Sequence, residues 1–162
     1  MSQPKLSELT GKTNYFEDFH VGEVIRHVRG KTIEGLENVL ITNLVMNTAQ
    51  AHFNEDAMKS SPYGGRLSYG GVNFSVAMGL AMQDCGENAL AELSMDNIRL
   101  QNPVVHGDTL YAYSEILAVE DSDREDAGVV TFRHYGVNQH DKQVFQGDRR
   151  MLIKRRSHWG ER

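Results

Sequence analysis

The residues able to do chemistry gather in one run, Leu44 to Met82: LVMNTAQAHFNEDAMKSSPYGGRLSYGGVNFSVAMGLAM. Its first half, Asn47 to Tyr69, is polar and turn-rich, with neither a helical nor a strand period, and it carries His52. Histidine is the side chain whose ordinary titration lies near neutrality, which suits it to moving a proton. The second half, Gly71 to Met82, is apolar on nearly every side, and a helix of that kind must be buried all round. Gly70 and Gly71 stand at the junction. A helix start leaves backbone N–H groups unpaired and favours negative charge, and glycine lets a ligand come close to the backbone. An irregular loop of this length is usually functional or disordered, and one that ends at the mouth of a core helix points to function. Two bland readings stand beside this one. His52 can be a loop histidine bonded to backbone, and the glycines can be spacers for close helix–sheet packing.

The elements that must position these residues follow from periodicity. Tyr15, Phe16 and Phe19 supply aromatic anchors, Val21 to Glu23 a turn, and Val24 to Arg29 a short strand. Thr32 is the expected N-cap of a helix with Glu34 in its first turn and with Leu36, Val39, Leu40 and Leu44 at helical spacing. The apolar helix is expected to stop at Gly86 as a left-handed C-cap. Ala91, Leu93 and Met95 alternate as in a strand, and then the phase shifts to Ile98 and Leu100, which predicts a bulge near Asp96-Asn97. Pro103 to Asp108 reads as a turn, Thr109 to Val119 as a long strand, and Glu120 to Ala127 as an acidic hairpin loop. Gly128 to Asn138 and Gln143 to Lys154 form a further hairpin around His140-Asp141, followed by a basic tail, Arg155 to Arg162. Strands arriving as a run after helices indicate an α+β fold. One antiparallel sheet wrapped around the helix covers only one of its sides. The other side needs the loop or a second subunit, so a dimer is expected.

Composition sets the outer bounds. The chain has 162 residues, enough for one domain with a real core. Its net charge of −5 argues against nucleic acid as the main partner, while a coenzyme with phosphates needs only a local basic rim. Cys85 is the only cysteine, so no intramolecular disulfide forms, and it reads as a small buried hydrophobe. No leader pattern is read in Met1 to Phe16 and no apolar run is long enough for a bilayer, so the expected compartment is the cytoplasm. The seven histidines show no i, i+3 or i, i+4 pair and there is no Cys-x2-Cys, so no metal site is expected. Met46, Met58, Met78, Met82 and Met95 read as core filler.

This order of elements resembles the single hotdog domain of the MaoC-like, (R)-specific enoyl-CoA hydratases, over about Tyr15 to Lys154. Three passages carry the resemblance: Asn47-x4-His52, at the position of that family's Asp-x4-His pair; Gly64-Gly65-Arg66-Leu67-Ser68-Tyr69-Gly70, its glycine-rich approach to the hotdog helix; and Asn102 to Leu110, its entry to the third long strand. The run Asn47 to Phe53 is closer to the mesaconyl-CoA hydratase (β-methylmalyl-CoA dehydratase) branch. The resemblance implies a flexible segment 1–13, a hotdog domain 14–155 with an overhanging loop, and a tail 156–162. It implies an acyl-CoA hydratase/dehydratase acting as a homodimer or higher oligomer, with no nucleic acid, membrane or separate cofactor, because the coenzyme A belongs to the substrate. His52 would be the general base and the Gly70 N–H the oxyanion donor, with Tyr63, Arg66, Tyr69 and Gly71 along the substrate path. Lys154-Arg155-Arg156 is either a solvated strand end or a contact for a coenzyme phosphate. Asn47 stands where the family has Asp; an amide cannot serve as a base but can hold water, and Glu55 or Asp56 is a candidate replacement carboxylate. Two alternatives stay open: a hotdog thioesterase, and a non-catalytic subunit that binds acyl-CoA.

Overall fold

The computed structural model describes residues 14–160; the expected N-terminal segment 1–13 and the last two residues of the tail lie outside that range. Five strands form one antiparallel sheet in the order β1-β3-β4-β5-β2: β1 Val24–Thr32, β2 Ala89–Leu100, β3 Thr109–Asp121, β4 Ala127–Asn138 and β5 Gln143–Lys154. The helices are α1 Gly35–Leu44, α2 Gln50–Phe53, α3 Glu55–Lys59, α4 Gly70–Cys85 and α5 Arg156–Trp159. Helix α4 packs against β1, β3, β4 and β5, the sheet-wrapped helix expected of a hotdog domain.

Alternation along the strands decides what α4 meets. On β3, Leu110, Ala112, Ser114 and Ile116 are buried, while Tyr111, Tyr113 and Glu115 face the other way. The bulge lies where the phase shift placed it: the β2–β5 register jumps between Asp96 and Arg99, and Asn97 takes a φ of 52°.

Several boundaries differ from expectation. β1 runs on to Thr32, because Thr32 pairs with Thr109 and their hydroxyls meet at 2.8 Å; α1 is therefore capped at Glu34 instead. The α1 spacing is helical, but its apolar residues Leu36, Leu40 and Leu44 are exposed and its buried residues are Asn38 and Thr42. The loop from Asn47 to Tyr69 holds two short helices. Asn54 caps the second, its Oδ1 accepting from Ala57 N at 3.0 Å, while Asn47 Oδ1 accepts from Ala49 N at 3.2 Å in the turn before the first. Helix α4 stops at Gly86 as expected, with a φ of −123° and so without a left-handed turn. A Cβ at Gly86 would meet Met82 Sδ at 2.7 Å, the far end of a flexible and exposed side chain that can shift. Nor is α4 buried all round: Ser75, Gly79 and Met82 form an open outer stripe. Of the methionines, Met78 is buried whereas Met46, Met82 and Met95 are exposed.

The core divides in two. One cluster holds Phe16, Phe19, Cys85, Ile116, Val130, Phe132, Met151 and Ile153. The other holds Ile33, Val72, Ala77, Met78, Val104, Leu110, Val144 and Phe145. Along β3, β4 and β5 the residue between the two clusters is polar: Ser114, His134 and Arg149, all buried. Asp84 Oδ2 lies 2.6 Å from His27 Nδ1, His27 Nε2 lies 2.7 Å from Ser114 Oγ, and Ser114 Oγ lies 2.6 Å from His134 Nδ1. An ionised Asp84 only accepts, so a neutral His27 donates to it and accepts from the Ser114 hydroxyl. The Ser114 oxygen then accepts from His134, whose Nε2 has no partner among the described residues. Arg149 closes the row on Glu92, with Nε to Oε1 at 2.6 Å.

Burial, reinforced by the Arg149 charge, pushes the His134 ring down to about 3. A base held below its unfolded value contributes stability that is complete above that value and is lost as the pH falls toward the folded one. Urea-unfolding midpoints are therefore expected to fall between pH 6.5 and about 3, and His134→Gln is expected to flatten that dependence. An unchanged slope in the variant would count against the assignment.

Candidate active site

Helix α2 presents His52, and the chain after α3 returns beside it. Leu67 N donates to Ala51 O at 2.9 Å. His52 Nδ1 lies 3.0 Å from the Leu67 carbonyl oxygen. A carbonyl only accepts, so Nδ1 carries a proton, and in the neutral ring Nε2 then keeps its lone pair. The His52 ring tilts against Tyr69, with centroids 5.5 Å apart at 60°. The backbone bond of the bland reading is present, and in a neutral ring it fixes the tautomer that leaves Nε2 able to accept a proton.

Tyr69 is the N-cap of α4, and Val72 N and Asn73 N both donate to its carbonyl. The Gly70 and Gly71 N–H groups have no acceptor among the described residues. They sit at the positive end of a 16-residue helix. A Cβ on Gly70 would lie 2.4 Å from Leu100 Cδ1, and one on Gly71 would lie 2.3 Å from the Tyr69 ring.

Asn38 joins these two pieces. Its Nδ2 donates to the His52 carbonyl at 3.0 Å, and its Oδ1 accepts from Tyr69 N at 2.8 Å. It has no exposed surface, and Thr42 Oγ1 donates to its carbonyl at 2.6 Å. The sequence reading missed Asn38. The available signal was a polar i, i+4 pair, Asn38 and Thr42, on the helix face opposite the leucines.

His52, Tyr69, Gly70 and Gly71 thus come together. Asn47 is half-buried in the turn before α2, with its side chain bonded to Ala49 N and not to the His52 ring. A cavity of about 340 Å³ lined by Thr42, Asn43, Met46, Thr48 and Phe53 opens on that segment. Tyr63 is exposed. Arg66 Nε bonds Glu55 Oε2 at 2.8 Å and holds the Glu55 carboxyl below its usual range, so Glu55 is engaged at the surface. The Arg66 guanidinium also lies near Gly35 and His106. Burial, then the Arg66 charge, lowers the His106 ring. The basic run at the end of β5 is used within the chain: Lys154 lies over Trp159, Arg155 over Phe16 and Arg156 over Tyr15, with ion pairs to Asp121 and Asp18.

Sequence spacing suggested no metal ligands, yet folding brings buried His27, Cys85 and His134 within 4.8 Å of one another. The Ser114 hydroxyl already bonds both rings. Burial pushes the Cys85 thiol up to about 12, which keeps it protonated.

The sequence model of the mesaconyl-CoA hydratase family matches residues 24–155. The chain is 42% identical over 108 residues to a β-methylmalyl-CoA dehydratase of Chloroflexus aurantiacus, covering 67% of this chain and 30% of that protein. It is 34% identical over 152 residues to a mesaconyl-CoA hydratase of Haloarcula marismortui, covering 87% and 42%. The chain therefore spans less than half the length of these curated relatives. Among solved structures, a MaoC domain protein dehydratase from Chloroflexus aurantiacus superposes with a TM-score of 0.82 at 32% identity, over 94% of this chain and 48% of that one. A Mycobacterium tuberculosis protein with a double hotdog fold gives 0.82 at 21% identity, over 90% and 46%, which speaks to fold alone.

The two glycines are expected to respond differently to a methyl group. In Gly70→Ala the exposed Leu100 side chain can swing away. In Gly71→Ala the Tyr69 ring must move, and with it the shielding of His52. The His52 ring-proton resonances are expected to shift in Gly71→Ala and to hold in Gly70→Ala; the opposite pattern would refute this packing.

Proposed function

The chain belongs to the mesaconyl-CoA hydratase family, and we propose that it adds or removes water across the C2–C3 bond of a 2-enoyl-CoA thioester. The observation that carries this reading is the His52 ring, bonded through Nδ1 to Leu67 and placed beside a helix start with two unpaired N–H groups. In the hydration direction, His52 Nε2 takes a proton from water as its oxygen attacks C3. Electron density moves through C2 to the thioester oxygen, which the Gly70 and Gly71 N–H groups hold at the α4 start. The proton then reaches C2, closing the balance. Asn47 cannot take the proton, and its part is to hold the water.

The relatives' names fit a short, branched enoyl thioester with a second carboxylate. Tyr69 and Gly71 border the reacting end, and Arg66 and Tyr63, on the outer side of the same segment, are left to meet the coenzyme A portion. No separate cofactor takes part. The open α4 stripe of Ser75, Gly79 and Met82, and the edge strand β2 with exposed Leu93, Met95, Ile98 and Leu100, suit cover by a second copy in a homodimer. No helix among the described residues is long and apolar enough to cross a membrane, and we place the protein in the cytoplasm.

Crotonyl-CoA and mesaconyl-CoA are the substrates to try, with enoyl absorbance and free thiol followed together. Absorbance is expected to fall without thiol release, faster with mesaconyl-CoA, and His52→Ala is expected to lose about 10²–10⁴-fold in rate. Thiol release would identify a thioesterase instead. Binding without turnover would identify a non-catalytic subunit.

A further inference from the structure

We infer that Asn38 is a positioning residue for this reaction, setting the placement of the base relative to the oxyanion donors. The inference rests on the hydratase reading above and extends it to a residue that touches neither water nor thioester. The base stands on α2 and the donors open α4, so the gap between them must be held by something that bonds both. The Asn38 side chain does so, through the His52 carbonyl and the Tyr69 N–H. Its amide is the one side-chain type of that size with a donor and an acceptor and no charge. An aspartate in its ionised form keeps the bond from Tyr69 N–H but sets an oxygen against the His52 carbonyl. Alanine loses both bonds and leaves two partly buried backbone groups without these partners. Both of the native bonds end on backbone atoms, so neither depends on the ring chemistry of His52 or on the identity of the Tyr69 side chain.

Reacting groups displaced by about 1 Å can lose on the order of 10²-fold in rate. Asn38→Ala is therefore expected to lower kcat by about 10- to 100-fold and to leave KM within about threefold. Asn38→Asp carries a sharper signature. When its buried carboxyl is protonated it can again donate to the His52 carbonyl while accepting from Tyr69 N–H. Its deficit relative to the native enzyme is expected to shrink as pH falls. Ser122→Ala is the control: it removes a comparable side-chain bond to backbone, Oγ to Ala127 O at 2.7 Å, in the hairpin between β3 and β4; its kcat is expected to stay within twofold of native.

The measurement is kcat and KM against pH for native, Asn38→Ala, Asn38→Asp and Ser122→Ala proteins, each checked for native circular dichroism. Folded Asn38 variants with native kcat, a loss confined to KM, or an Asn38→Asp deficit that is flat with pH would each overturn the inference. So would failure of both Asn38 variants to fold at every pH, which would make Asn38 structural. A native protein without turnover defeats the hydratase reading instead, and the two failures are distinguishable.

Discussion

One hydrogen bond decides what this site can do. With its Nδ1 proton on the Leu67 carbonyl, His52 has a single nitrogen left, and that nitrogen is an acceptor. Reversing the bond is chemically impossible, since a carbonyl has no proton to give. The neighbouring geometry follows from keeping that ring still. Leu67 is held by Ala51, Tyr69 packs on the ring, and Asn38 ties the His52 carbonyl to the residue that opens α4.

The body of the fold answers a different demand. A helix laid across five strands needs polar contacts only at its ends, yet a row of buried polar groups crosses the middle of this sheet. Asp84, His27, Ser114 and His134 are bonded in succession, with His134 Nε2 left without a partner among the described residues, and Arg149 and Glu92 complete the row. Buried polar groups are costly when unmatched, so such a row fixes which residues of β1, β3, β4 and α4 face one another. The end opposite the row, where α4 begins, keeps its N–H groups open instead.

Much of this was legible in the sequence. Alternation gave β3, β4 and β5 nearly to the residue, and the slip from Met95 to Ile98 marked the bulge at Asn97. The polar approach to an apolar helix pointed to His52 and Gly70. What stayed hidden is non-local. The spacing of Leu36, Leu40 and Leu44 says that a helix forms, not which face meets the core, and here the leucines face outward and Asn38 inward. Directly bonded members of the polar row lie up to 87 positions apart in sequence, and no window-based pattern joins them. Thr32 looked like a cap because its pairing with Thr109 depends on a strand 77 residues away. Arg155 and Arg156 looked solvated because Phe16, Tyr15 and Asp18 come from the other end of the domain.

The proposed proton transfer requires that Nε2 of His52 be bare. A long-range ¹H–¹⁵N correlation spectrum of the native protein, with His52 assigned through His52→Gln, reads this directly near neutral pH. The prediction is a protonated Nδ1 and an unprotonated Nε2. The opposite tautomer would leave Nε2 unable to accept a proton from water, and would contradict the role given to His52.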